Sequence, residues 1–490
     1  MNFETIIGLE VHAQLLTKSK MFCRCSADYA SAPPNTHVCP VCLGMPGVLP
    51  AINQQAVEYT VMTALALNCT IADYTRFDRK NYPYPDLMKG YQISQYNDPF
   101  GHGGWLTIEV NGEKKKVGIT RVHLEEDVAK LVHHTSPGGE SYSLVDVNRS
   151  GVPLMEIVGE PDLHSPEEAR QYLIRLRSIL QYLGVSTGNM EEGSFRCDAN
   201  ISIRPEDSPD SLAKVEVKNM NSFKAVYLAL EYEAKRQRKV ATEGRKLVQE
   251  TRGWVEEKGK TVSQRSKEYA HDYRYFPEPD LPPLTLNRDW VEEIRSKLPE
   301  LPEARRDRFV AEYGLPVASS TQITSSKGMA DYWEDFIRTS RLADLPLAQT
   351  TKVGSNWLLG EVSRIMNANN IDITEFRKRV APEKLCGLIL SSYTMITAAT
   401  AKSVLEEMFN TGKSAEDIIL AQTLTQISDT GEIEEIVSQV VDANPKAVAD
   451  YRGGKVQSLT FLVGQVMRAT KGRANPKLVN EQLKRRLEEG

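Results

Sequence analysis

The sequence predicts an α+β protein: an N-terminal domain built on an antiparallel sheet with a few helices, followed by all-α helical and tail domains. Three observations carry this reading. Four stretches within the first 220 residues alternate apolar with ionisable side chains at strand spacing, the segment Pro277-Glu278-Pro279-Asp280-Leu281-Pro282-Pro283 punctuates the chain, and beyond it apolar positions recur at helical spacing behind capping signals.

The first strand, Thr5–Leu15, sets Ile7, Leu9, Val11, Ala13 and Leu15 against Glu10 and His12. Val117–Val128 sets Val122, Leu124 and Val128 against Arg121, His123, Glu125 and Asp127. Gly193–Arg204 opposes Phe195, Cys197, Ala199, Ile201 and Ile203 to Arg196, Asp198, Asn200, Ser202 and Arg204, and Lys214–Lys218 opposes Val215 and Val217 to Lys214, Glu216 and Lys218. Strands with one apolar and one charged face form antiparallel sheets with an open side. If these four pair, that side carries carboxylates, a histidine and cations, a surface suited to hard divalent cations and their phosphates. A solvated face with ordinary salt bridges is the other reading. Glu10 and His12 weigh against it, because an acid and an imidazole two residues apart point to the same side of an otherwise apolar strand.

Ser165-Pro166-Glu167-Glu168 supplies an N-cap, a first-turn proline and a capping acid, and Ala169, Tyr172, Leu173, Leu176, Ile179, Leu180 and Leu183 follow at helical spacing. A second helix is expected from near Ser222 through Arg238. The prolines of 277–283 disfavour helix and enforce an extended segment, the clearest boundary signal. Pro302 then opens a helix ending near Gly314, Pro382 opens another, and Asn475-Pro476 caps the last. The expected domains are 1–293, 294–408 and 409–490, consistent with 490 residues at about 150 per domain.

Net charge is −5, so no global basic field points to nucleic acid. Residues 451–490, however, hold nine Lys/Arg against three Asp/Glu, a local +6 that leaves −11 for the rest. A basic terminal module is either an RNA contact or a solvated helical surface. No signal-peptide pattern precedes the first strand. The uncharged, apolar-rich run of 17 residues between Lys384 and Lys402 is too short and too polar to span a bilayer, which needs about 20, so no membrane partner is expected.

Seven cysteines are present, and Cys23, Cys25, Cys39 and Cys42 cluster in the sequence. Cys39-Pro-Val-Cys42-Leu-Gly44 reads as a zinc knuckle, and four thiolates closing tetrahedrally define a structural rather than a catalytic site. A disulfide pair or unpaired structural thiols are the alternatives. Cys69, Cys197 and Cys386 read as small buried hydrophobes. Gly412-Lys413-Ser414 imitates the end of a phosphate loop but has Glu407 where the loop needs glycine. No glycine/serine-rich amidase signature surrounds Ser325-Ser326-Lys327.

Ile7-Gly-Leu-Glu-Val-His12, Phe77-Asp-Arg-Lys-Asn-Tyr82, Met190-Glu-Glu-Gly-Ser-Phe-Arg-Cys-Asp-Ala-Asn200, Asp272-Tyr-Arg-Tyr-Phe-Pro-Glu-Pro-Asp280 and Gly464-Gln-Val-Met467 with Lys471-Gly472 stand in the order of one family. Over its whole length the chain resembles the B subunit of the aspartyl/glutamyl-tRNA(Asn/Gln) amidotransferases, of the heterotrimeric bacterial type. The resemblance implies a cradle-like N-terminal catalytic domain, a tRNA-binding tail and a cytoplasmic ligase. The reaction it implies is phosphorylation by ATP of the side-chain carboxylate on mischarged Glu-tRNA(Gln) or Asp-tRNA(Asn), followed by displacement of phosphate by ammonia. A carboxylate becomes a good electrophile only when one oxygen can leave, and phosphoryl transfer depends on positioned cations. It further implies Mg²⁺ held by Glu10, His12, Glu125 and Glu216, with Asp198 a further cofactor-binding candidate. His12, Glu125 and Lys80 are implied to be catalytic, with Lys80 facing phosphate or substrate. Ammonia would come from a partner amidase of the same amidotransferase, with a small third subunit wrapping the pair. Two rival readings are a non-catalytic tRNA-binding scaffold and a free-standing metal-dependent nucleotidyltransferase. A scaffold has no need of Glu10 and His12 on an interior face, and no base-binding motif supports the second.

Overall fold

The computed structural model describes residues 2–266, 273–342, 346–422, 424, 430–470 and 473–489. Asp272 and the Lys471-Gly472 pair of the quoted motifs lie outside the described residues. Two compact units result, Met1–Pro302 and Glu303–Gly490. Among the described residues no helix is long and apolar enough to cross a membrane.

The first unit contains strands β1 (Phe3–Gln14), β2 (Thr70–Ile71), β3 (Tyr74–Thr75), β4 (Asp78–Asn81), β5 (Tyr91–Ser94), β6 (Gly101–Val110), β7 (Glu113–Glu126), β8 (Lys130–Thr135) and β9 (Ser141–Asp146). After these come β10 (Pro153–Gly159), β11 (Phe195–Pro205), β12 (Val215–Lys218), β13 (Glu250–Val255), β14 (Lys260–Ser266), β15 (Phe276–Pro277) and β16 (Leu284–Thr285). Helices α1 (Gln54–Ala66), α2 (Pro166–Leu183), α3 (Phe223–Thr242) and α4 (Arg288–Ser296) complete it.

The four expected strands appear as β1, β7, β11 and β12, all in one nine-stranded sheet of order β14-β13-β12-β11-β1-β10-β7-β6-β2. The alternation predicted the faces correctly. Ile7, Leu9, Val11, Ala13, Phe195, Cys197, Ala199, Ile201, Val215 and Val217 are buried in one core with the apolar sides of α1, α2 and α3. Two features go beyond the antiparallel expectation. The strand β10 inserts between β1 and β7. The β12–β13 pair is parallel, which requires a long crossover, and α3 supplies it.

Capping follows the sequence signals. Ser165 Oγ accepts from Glu168 N at 3.2 Å, Gly184 closes α2 in the left-handed conformation, and Ser222 caps α3 through Ala225 N. The proline segment, by contrast, is not a linker. Pro277 pairs with Asp78, the carboxylate of Glu278 is clasped by Arg79, and Leu281 and Leu286 enter the first core. The expected boundary at 293 falls within α4, whose Val291 and Ile294 are buried in that same core. An ion pair and apolar burial here outweigh the breaking tendency of four prolines.

The second unit is helical, as expected. Helices Pro302–Tyr313, Pro382–Thr394 and Pro476–Glu489 start where the prolines predicted, and Asn475 Oδ1 accepts from Lys477 N at 3.0 Å. One core runs from Phe309 to Ile419 and a second from Ile433 to Leu487. The expected boundary at 408 lies inside helix Ala398–Thr411, whose Val404, Leu405, Met408 and Phe409 share the earlier core with Ile418 and Ile419. Gly412 is the left-handed cap of that helix and Ser414 the N-cap of the next, which accounts for the phosphate-loop look-alike.

Candidate functional site

Strand register assembles the site. Antiparallel neighbours present directly opposed residues on one face, and the register opposes Asn200 to Glu216, Glu10 to Asp198, His12 to both Arg196 and Glu156, and Glu156 to His123. A charged strip therefore crosses five strands, from Glu216 on β12 to His123 and Glu125 on β7.

Within the strip, His12 Nε2 stands 3.4 Å from Glu156 Oε2 and 3.8 Å from Glu125 Oε1, and His123 Nε2 lies 3.1 Å from Glu156 Oε2. One ligand atom from each of His12, Glu125 and Glu156 falls within 4.8 Å of the others, close enough for a single metal ion. Burial disfavours protonation of His12, but the carboxylates of Glu156 and Glu125 outweigh it and lift the imidazole to about 9. Burial likewise opposes the charge on Glu156, yet His123 and His12 hold its carboxyl well below the usual range. In the protein alone the His12 imidazolium thus offsets part of the carboxylate charge. A divalent cation would take over that role with release of a proton.

The expected four-ligand set is therefore only partly gathered. His12 and Glu125 meet, while Glu10, Asp198 and Glu216 form a neighbouring acidic group. Glu10 accepts from Asn200 Nδ2 at 2.8 Å, Asp198 pairs with Lys218, and Glu216 lies 3.5 Å from Lys218 and accepts from Thr251 Oγ1 at 2.7 Å. Burial, then the carboxylates of Glu156 and Asp198, raise the pKa of Glu10. Lys80, on the middle strand of the sheet β15-β4-β5, sits with its ammonium 5.0 Å from the ring centre of Tyr273 and 5.6 Å from that of Tyr82. Such cation–π seats leave the charge available to an anion.

The open side expected for this sheet is closed at the β7 end. His123 and Glu125 are 1% and 2% exposed, because β5 and the residue after it bind the end of β7: Ser94 Oγ donates to Glu125 Oε2 at 3.1 Å, Gln92 Nε2 to Glu126 O at 2.8 Å, and Leu124 N to Gln95 Oε1 at 3.0 Å. Two separated motifs of the sequence meet here. Arg79 makes a two-point bond to Glu278 and reaches Asp280 at 3.1 Å, docking the second motif on the first.

Sequence reasoning missed Glu156, although its signal was present: a single acid centred in the apolar run Pro153-Leu-Met-Glu-Ile-Val-Gly159. It also passed over Arg196. This cation opposes His12, and its Nη2 lies 3.0 Å from Asp127, a buried carboxylate that Gln14 Nε2 also holds at 2.7 Å.

The cysteine quartet forms a second cluster. Cys23 Sγ is 3.5 Å and Cys39 Sγ 3.7 Å from Cys42 Sγ, and all four sulfurs lie within 4.8 Å of one another. A disulfide would need about 2.05 Å, and all four are free thiols. Tetrahedral thiolates about 2.3 Å from a zinc ion stand about 3.8 Å apart, so the spacing fits a closed metal site. The hydrogen bond between Cys23 and Cys42 pulls the Cys42 sulfur down in pKa, helped by Lys20 beside it, and pushes Cys23 up.

The sheet face gathers carboxylates and imidazoles around one point, a donor set that could hold a metal ion. Residues 5–292 match the GatB/GatE catalytic domain and residues 346–487 the GatB domain. The chain is 61% identical over 489 residues to the B subunit of the aspartyl/glutamyl-tRNA(Asn/Gln) amidotransferase of Dehalococcoides mccartyi (strain ATCC BAA-2266 / KCTC 15142 / 195), covering 100% of this chain and 99% of that one. It is 55% identical over 490 residues to the protein of the same name from Thermomicrobium roseum and 51% identical over 486 residues to that from Carboxydothermus hydrogenoformans, with at least 99% of each chain covered. The chain belongs to the family of aspartyl/glutamyl-tRNA(Asn/Gln) amidotransferase B subunits.

Proposed function

We propose that this chain carries out the ATP-dependent amidation of mischarged Glu-tRNA(Gln), Asp-tRNA(Asn) or both, as the B subunit of a ligase whose other members are a glutamine-hydrolysing amidase and a small third subunit. The observation that carries the chemistry is the convergence of His12, Glu125 and Glu156 on one buried stretch of sheet, in a family named for this reaction. His12, Glu125 and Glu156 would hold Mg²⁺, with Glu10, Asp198 and Glu216 lining the adjoining face. Bound there, Mg²⁺ supplies charge neutralisation for the transferring phosphoryl group. Arg196, anchored by Asp127, and Lys80, cupped by tyrosines, present positive charge to phosphate and substrate carboxylate. The carboxylate oxygen attacks the terminal phosphorus of ATP and ADP leaves. Ammonia then adds to the acyl carbon and phosphate departs. The test is ATP hydrolysis by the purified assembly with and without mischarged tRNA. A tRNA-dependent, Mg²⁺-dependent rate is expected, and ATP consumption indifferent to both would refute the reading.

The cysteine quartet is read as a structural Zn²⁺ site, separate from this chemistry. Elemental analysis is expected to return about one zinc per chain, and Cys39→Ser to lower thermal stability without altering the Mg²⁺ requirement of ATP hydrolysis. Zinc-free protein of full stability would refute it.

The C-terminal core, Ile433–Leu487, is read as the tRNA-binding tail. Arg468, Lys477 and Lys484 are exposed on it, whereas Arg485 pairs with Glu434 and Lys455 with Asp450. A truncation near residue 410 would remove Ala415, Ile418 and Ile419 from the preceding core, so point changes make the cleaner test. Replacing Arg468, Lys477 and Lys484 by alanine is expected to weaken tRNA binding and flatten the slope of log affinity against log salt by roughly 0.7–0.9 per lost phosphate contact. An unchanged slope would mean that tRNA is held elsewhere.

A further inference from the structure

Lys20 is 1% exposed, a buried lysine with no carboxylate within ion-pair distance of its ammonium among the described residues. Its Nζ donates to His37 O at 2.8 Å and Val147 O at 3.4 Å, and its third neighbour is Cys42 Sγ at 3.6 Å. A buried ammonium satisfied only by carbonyls leaves its charge uncompensated, which is costly. The quartet can supply the missing anion. Four thiolates around a divalent cation keep a net negative charge, and that excess lies against Lys20.

The three bonds also join separate pieces of chain. His37 belongs to the knuckle, Cys42 is a ligand position, and Val147 begins the turn Val147–Arg149 that leads into β10. That turn is pinned to the knuckle again by Asn35 Oδ1, which accepts from Val147 N at 2.7 Å, and by Asn148 Oδ1, which accepts from His37 N at 2.8 Å. Arg149 on the turn stands 3.7 Å from Asp127, the carboxylate that anchors Arg196. From these contacts we infer that Lys20 is the outer-shell countercharge of the four-thiolate metal site and ties that site to the turn carrying Arg149. The inference rests on the quartet holding a metal ion.

Lys20→Met should therefore weaken the hold of the site on its metal. Outer-shell donors of this kind are worth about 10- to 100-fold in metal affinity.

The experiment uses the full chain in its assembly, reconstituted with zinc, and titrates zinc away with a chromogenic chelator in wild type and in Lys20→Met, Lys20→Arg and the control Lys89→Met. Lys89 pairs with Glu126 and makes no bond to a cysteine sulfur. The expected result is zinc affinity reduced 10- to 100-fold in Lys20→Met, nearly retained in Lys20→Arg and unchanged in Lys89→Met, with the gap in melting temperature between zinc-loaded and zinc-free protein narrowed only in Lys20→Met. Equal affinity and an equal gap in Lys20→Met would overturn the proposal. If Lys20→Met does not fold, the cobalt-substituted proteins decide. The thiolate-to-metal charge-transfer band should move between wild type and Lys20→Arg, since the donor beside Cys42 has changed, and a superimposable band would overturn the assignment. Wild-type protein without any metal would refute the metal reading itself, a result distinct from zinc that binds with unchanged affinity in the variant.

Discussion

Glu156→Gln is expected to reduce tRNA-dependent ATP consumption on the order of 100-fold or more while glutamine hydrolysis by the partner amidase persists at least in part. Glu156 Oε2, on β10 between β1 and β7, faces two imidazoles, His12 at 3.4 Å and His123 at 3.1 Å. The amide keeps the shape but not the charge, so the cluster loses a hard anionic ligand, worth several kcal/mol of barrier to a reaction built on cation positioning. Glu125→Gln and His12→Ala should behave alike, because each removes one member of the same three-residue cluster. A kinetic comparison with wild type decides the matter, and wild-type-like amidation by Glu156→Gln would exclude this strip as the phosphoryl-transfer site. The linked stability has a definite sign. The folded His12 pKa of about 9 lies above its ordinary 6.5, so its pairing with Glu156 and Glu125 stabilises the protein fully below about 6.5 and is lost as pH rises through about 9. With divalent cations chelated, the stability difference between wild type and Glu156→Gln should therefore narrow over that window.

The sequence disclosed the faces of the sheet better than its neighbours. Period-two alternation is a local property, so the opposite orientations of Ile7 and Glu10, or of Val217 and Glu216, were legible from the residues alone. Which strand lies beside which is not local. The insertion of β10 between β1 and β7, and the parallel return of β13 through α3, depend on pairing over long separations. For that reason the shared charged face of Glu10 and His12 was legible, while the meeting of His12 and Glu125 at Glu156 was not. The proline segment failed in the other direction. Its local chemistry says boundary, but Arg79, about 200 positions away, holds Glu278 in place. The motif resemblance supplied the ligand list, and the fold sorts that list into two adjoining groups rather than one.

Glu233→Gln is the largest stability loss expected away from the metal strip, and it reaches the strip as well. Glu233 is fully buried on α3, where it takes a two-point bond from Arg236, a 2.9 Å bond from Thr261 Oγ1 and a 3.0 Å bond from Gln237, with Arg252 Nε at 3.6 Å. These partners come from α3, β13 and β14, so one carboxylate fastens the crossover helix to the strands it delivers. Removing its charge leaves Glu250, which meets Arg252 at 2.6 Å and Arg236 at 3.9 Å, as the carboxylate shared by the two arginines. Breaking a buried ionic network by one member costs roughly 3 kcal/mol or more, equivalent to about 6 °C in melting temperature for a unit of this size. The strand β13 also carries Thr251, whose hydroxyl holds Glu216 at 2.7 Å. Loosening it should therefore free a carboxylate of the acidic group, with a smaller loss of ATP consumption than Glu156→Gln produces. Thermal unfolding read beside limited proteolysis of the 250–266 hairpin checks both consequences, and an unshifted melting temperature with an equally resistant hairpin would show that Glu233 fastens nothing.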